Sequence, residues 1–160
     1  MPNKLKALAL SLTLFASQAA LAEAEFGLNC VNKNNKNSGV IFLSFASFAT
    51  ITWFGTDTSD ESQREKLTLT TKTAESIRYT SPPSYKEKVV WIVKRDTLEL
   101  TRFDFASMSF SCMKSNDVTA LTKKSDEVII EKQTRLENKK QNDLRMKKQE
   151  EQQQLKRNQI

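Results

Sequence analysis

The sequence predicts a mainly β protein, a small antiparallel barrel or sandwich with one disulfide, followed by a long charged C-terminal α-helix. Three observations predict it. The cysteines, Cys30 and Cys112, both fall on the apolar side of segments that alternate with period two. Composition changes sharply near Asn116, from Thr, Ser, Phe, Val and Ile upstream to Lys, Glu, Gln, Arg and Asn downstream, with no Gly, Pro or aromatic residue. The chain also opens on a segment that reads as an export leader, which places it where disulfides persist. The implied organisation is a signal peptide over 1–22, a disulfide-clasped β domain over 23–115 and a helical tail over 116–160.

The leader begins with Lys4 and Lys6 ahead of the apolar run Ala7–Phe15, then turns small and polar through Ala16–Ala22. Ala20 and Ala22 occupy the minus-three and minus-one positions of an A-x-A site, so cleavage is expected after Ala22. The apolar run is well short of the roughly 20 residues that span a bilayer. No cysteine sits at the cleavage point, and Cys30 follows Phe-Gly-Leu-Asn rather than a lipobox. The mature chain is therefore expected to be exported, periplasmic or extracellular, without stable membrane insertion.

In the β domain, Phe26, Leu28 and Cys30 alternate with Gly27 and Asn29, and Met108, Phe110 and Cys112 alternate with Ser109 and Ser111. Both sulfurs then point inward, as a bridge between the first and last strands of a closed sheet requires. Such a bridge closes a loop of about 80 residues, and chain entropy credits it with ~4 to 5 kcal/mol as an upper figure. The stretch Asn32–Ser38, ending at Gly39, is a turn. The apolar run Val40–Phe54 slips phase near Ala46-Ser47, which predicts one long bent strand with a β-bulge or two short strands. A polar loop over Gly55–Glu65 precedes strand-like Leu67–Thr73 and Ser76–Thr80, and Pro82-Pro83 end the ladder.

Lys88–Arg102 reads as a hairpin centred on Arg95-Asp96. That centre sets Val93 opposite Leu98 and Trp91 opposite Leu100, and Arg-Asp being a poor type I′ pair favours a four-residue loop over Lys94–Thr97. The segment Trp91-Ile-Val-Lys-Arg-Asp-Thr-Leu-Glu-Leu100, with Cys112 downstream, resembles a loose class of short secreted bacterial and phage-encoded proteins of uncharacterised function. These show a Trp-x-Ile-x-Arg-x-Thr-type hairpin before a terminal Cys. The likeness covers about a quarter of the chain, implies a fold with no catalytic residue to carry over, and leaves the long charged tail as a departure.

The tail has a plausible N-cap in Ser125, with Asp126 and Glu127 in the first turn where the helix dipole favours carboxylates. Glu131 with Arg135 and Asp143 with Lys147 are i,i+4 pairs. A helix from there to Ile160 extends roughly 54 Å. Its apolar anchors Ile129, Leu136, Leu144 and Leu155 stay on one stripe, a thin seam by coiled-coil standards but one that a protein partner or a second copy can use.

The sequence contains no histidine, so Ser-His and Cys-His relays, His-metal sites and near-neutral proton shuttles are excluded. Net charge is +6 for the whole chain, of which 23–115 carries +1 and 116–160 carries +3. This mixed, mild bias is unlike the clustered charge that nucleic acid requires, and export also argues against nucleic acid. Asp57, Asp60 and Glu61 share a loop with oxygen ligands for Ca²⁺ but lack EF-hand order. Only Gly27, Gly39 and Gly55 are present, too few for a phosphate loop. Trp53, Trp91, Tyr79 and Tyr85 are candidates for an aromatic ligand cup, with core packing the usual role of a Trp in such strands. No cofactor is expected. The function predicted is an exported non-enzymatic binding or adaptor protein using its helix, with a ligand-binding or inhibitor module acting through the β domain as the alternative. A His-free hydrolase built on a Ser-Lys pair or an acidic residue is a second alternative.

Overall fold

The computed structural model describes residues 23–55, 64–81, 89–104 and 107–157. They form eight strands, β1 (Phe26–Asn32), β2 (Ser38–Ser44), β3 (Phe48–Gly55), β4 (Glu65–Lys72), β5 (Ser76–Thr80), β6 (Val90–Lys94), β7 (Glu99–Phe103) and β8 (Met108–Lys114), and one helix, α1 (Val118–Arg157). Each strand pairs antiparallel with the next, and β8 returns to pair with β1, so the sheet closes into a barrel without a free edge. The expected leader, with cleavage expected after Ala22, lies outside the described residues.

An eight-stranded barrel has an interior just wide enough to be filled by side chains, and alternation supplies the filling. Leu28, Val40, Phe42, Ile51, Leu67, Tyr79, Trp91, Val93, Leu100 and Phe110 are all buried in one cluster. On β4 the outward positions between them, Lys66, Thr68 and Thr70, are polar. The strands run five to eight residues, shorter than the ~9–11 of a membrane-spanning strand. Among the described residues no helix is long and apolar enough to cross a membrane.

Cys30 and Cys112 are direct cross-strand partners in the β1–β8 ladder, with Cα atoms 4.0 Å apart, and they form a disulfide. The bridge thus fastens the seam where the first strand meets the last. Here the most distant pairing in the sequence, and so the costliest in loop entropy, is made covalent.

The run Val40–Phe54 is two strands joined by a tight hairpin rather than one bulged strand. Its phase slip is the turn itself, closed by the Phe45 N–H donating to the Phe48 carbonyl at 2.8 Å. No Gly, Asn or Pro marks this turn. The Phe45 and Phe48 rings instead stack across it with centroids 4.4 Å apart. In the Asn-rich turn between β1 and β2, the Asn32 and Asn35 side-chain oxygens accept from the N–H groups of Asn34 and Asn37.

The β6–β7 hairpin corrects the expected register. Val93 pairs with Leu100 and Trp91 with Arg102, and the four-residue turn is Arg95–Leu98, not Lys94–Thr97. The cause lies at Leu98, which takes a left-handed φ of 50° and accepts the Cys112 N–H at its carbonyl. A slip of two residues keeps every side chain on its face, so the inward rows are as the alternation requires.

The helix start is also corrected. Asp117 is the N-cap, its carboxylate accepting the Ala120 N–H at 2.8 Å, and α1 begins at Val118, seven residues before the expected cap. Ser125 is buried inside the helix. The first three turns lie on the outer face of β1–β3, where Leu121, Ile41 and Leu43 form a second apolar cluster flanked by Val118 and Val128. Burying a leucine in this way contributes ~1.5–3 kcal/mol. The approach is close at Gly27, whose absent Cβ would stand 2.6 Å from a Leu121 methyl.

Candidate functional site

Two features of the molecule offer binding chemistry: the part of α1 that leaves the barrel, and the barrel's ends. A helix of 40 residues is about 60 Å long, and the barrel holds only its beginning. Ser125 locks that part. Its hydroxyl lies 2.6 Å from the Thr52 hydroxyl and accepts from Arg64 Nε at 3.1 Å, while the Arg64 guanidinium also pairs with Asp126. Lys124 sits 5.7 Å over the Phe54 ring.

Beyond Val128 the predicted stripe is found at increasing exposure. Ile129 and Leu136 are half-buried, whereas Leu144 and Leu155 are 60% and 63% exposed. Ile130 and Met146 are exposed beside them. The Glu131–Arg135 pair forms at 3.1 Å. Asp143 and Lys147 are not within ion-pair distance, as befits two solvated side chains whose rotamer entropy outweighs a screened attraction. The free part of the helix is a solvated rod with a thin apolar line.

At one end of the barrel, Trp53, Trp91 and Phe110 fill the interior, with ring centroids 5.8 to 6.1 Å apart. The Arg102 guanidinium covers both indoles at 5.6 and 5.7 Å and pairs with Asp104 at 2.7 Å. This end is a plug. Trp91 and Tyr79 are fully buried, so they pack the core rather than line a cup; Tyr85 and the acidic loop of Asp57, Asp60 and Glu61 lie outside the described residues. Among the described residues no cluster of His, Cys, Asp or Glu could hold a metal.

The opposite end is open. A cavity of about 440 Å³ is walled by Phe26, Leu28, Ile77, Val93 and Leu98. Its polar lining is Glu25, Lys72, Arg95 and Lys114. In the core the Tyr79 and Ser44 hydroxyls share a hydrogen bond of 2.8 Å. Burial, chiefly, pushes the Tyr79 phenol above its ordinary value; the Ser44 bond opposes this, the nearby Glu25 charge adds to it and Arg95 opposes it. The other buried serines are occupied too, Ser38 by the Asn35 carbonyl and Ser125 by Thr52 and Arg64, none of them a lysine.

Comparison with protein-family models, curated proteins and solved structures finds no match. The chemistry must therefore be read from the residues. The disulfide is legible in the sequence but the open end is not, because its cations come from the β4–β5 turn, the β6–β7 turn and the end of β8. Period-two alternation does not reveal the register shift that β4 carries between Leu69 and Thr71. The extra residue re-aims the strand, so Lys72 pairs with inward-facing Ile77 although Leu67 and Leu69 already occupy the inward row.

Proposed function

We propose that the protein is an exported, non-enzymatic binding or adaptor protein, in which the disulfide-clasped barrel is the base and the free length of α1 is the element that engages a protein partner, a second copy of itself included. One observation carries this reading: the barrel grips α1 through Val118, Leu121, Ser125 and Val128 and leaves the helix from about Leu136 onward exposed. A helix retained only to complete the barrel would end with those contacts. Export is supported by the leader-like Met1–Ala22 and by the Cys30–Cys112 bridge. Pairing of two such helices as a coiled coil is the simplest use of the stripe Ile129, Leu136, Leu144 and Leu155.

Sedimentation velocity on the disulfide-bonded protein, compared with Leu144→Glu/Leu155→Glu, tests self-association. Photo-crosslinking from position 144 in the cell envelope tests a foreign partner. A concentration-dependent dimer abolished by the two substitutions supports pairing, and a single crosslinked protein lost in the same variant supports an adaptor. A monomer at all concentrations that also gives no crosslink overturns the reading.

A further inference from the structure

We propose that the open end of the barrel is a binding site for one small amphiphilic anion, such as a medium-chain carboxylate, with its apolar part against Phe26 and Leu98 at the mouth and its charged head on Lys72, Arg95 and Lys114. This site is separate from the helix and independent of the reading above.

The cavity has the size of a small-molecule site, about 440 Å³ against a usual ~300–1,000 Å³. Its accessible apolar surface belongs to the half-buried Phe26 and Leu98, since Leu28, Ile77 and Val93 behind them are at most 3% exposed and belong to the packed core. The far end of the barrel is closed by the Trp53, Trp91 and Phe110 plug, so a ligand enters and leaves by the same mouth and its length is limited.

Charge decides the sign of the ligand. Three cations and one carboxylate line the mouth, and the carboxylate, Glu25, is engaged by Lys72 at 3.4 Å. Arg95 and Lys114 have no carboxylate within ion-pair distance among the described residues. Lys33 and Lys94, by contrast, both reach Glu99, at 2.9 and 3.9 Å. The strand register makes the contrast more telling. Lys114 continues the inward row of Phe110 and Cys112 and pairs with Leu28, Arg95 follows inward-facing Val93, and the β4 bulge brings Lys72 opposite Ile77. Cations gathered on inward rows at the rim of a low-dielectric cleft focus a positive potential into it, and the half-buried Phe26 and Leu98 add the area term that retains an alkyl or aryl group.

The test is isothermal titration of the disulfide-bonded protein with decanoate, decanol and decyltrimethylammonium. Decanoate should bind with a stoichiometry of one and at least tenfold more tightly than decanol, and the cation should not bind. In Lys72→Gln/Arg95→Gln/Lys114→Gln, whose fold is checked by an unchanged circular dichroism spectrum and disulfide, decanoate should weaken at least tenfold while decanol is unaffected. Inorganic phosphate should compete far less well than decanoate, since it makes no contact with Phe26 and Leu98. Absence of decanoate binding, equal binding of the three amphiphiles, or full decanoate affinity in the triple variant would each overturn the proposal.

Discussion

The hydroxyls of Thr52 in β3 and Ser125 in α1 lie 2.6 Å apart, both buried, and Arg64 Nε joins them at 3.1 Å from the serine oxygen. This is the polar centre of an otherwise apolar contact, and it fixes which turn of α1 rests on which part of the barrel. Ser125→Ala leaves the Thr52 hydroxyl buried without its partner, which costs ~1–3 kcal/mol. Adding Thr52→Val should recover part of that loss. Urea melts of the two single variants and the double variant measure the coupling, and strict additivity would deny the contact any role.

Removal of the Cys30–Cys112 bridge, by reductant or by Cys30→Ala/Cys112→Ala, should lower stability by up to ~4–5 kcal/mol, because the crosslink constrains the unfolded chain over its longest loop. The denaturant midpoint should fall sharply in the presence of a thiol, and hydrogen exchange should rise first in β1 and β8, whose ladder the bridge fastens.

Two glycines should respond differently to alanine. At Gly39 an added Cβ would stand 2.1 Å from the Cys30 carbonyl oxygen and 2.5 Å from the Phe54 ring, so backbone must move. At Gly27 it meets methyl groups of Leu121 at 2.6 Å and Leu43 at 3.2 Å, the ends of flexible side chains rather than backbone. Gly39→Ala should cost ~3 kcal/mol or more, and Gly27→Ala ~1 kcal/mol or less. Equal melting temperatures for the two would contradict these packing arguments.

Stability should fall at alkaline pH through Tyr79. Its folded phenol titrates above the ordinary value of 10.0, chiefly because burial disfavours phenolate. The unfolded chain then releases this proton first, so the contribution is complete below about pH 10 and is lost as pH rises through the raised folded value. Tyr79→Phe should flatten that alkaline decline while lowering stability at neutral pH, since the Ser44 hydroxyl loses its partner. Urea melts across pH 8 to 12, with phenolate absorbance followed in parallel, give both quantities.

Truncation should separate the two parts of α1. A chain ending at Glu131 keeps Val118, Leu121, Ser125 and Val128 on the barrel and should melt with the full protein. A chain ending at Ser115 uncovers Ile41 and Leu43 and should lose several kcal/mol, with Leu121 alone worth ~1.5–3. Equal stability of the two truncations would show that the docked turns contribute nothing.

The amino-acid sequence by itself determined the class of fold, the inward direction of Cys30 and Cys112 and the existence of the helix. These follow from period-two alternation and from composition, which fix sidedness without reference to any distant residue. Tertiary structure alone decided the rest. The β6–β7 register slipped by two because the Leu98 carbonyl is taken by Cys112 of β8, and the β2–β3 turn lacked the usual residues because stacked Phe45 and Phe48 hold it. The helix starts at Val118, where Asp117 caps it, and that start lets Leu121 cover Ile41 and Leu43. The open mouth was least legible: Lys72, Arg95 and Lys114 converge only when eight strands close and a bulge turns one of them inward.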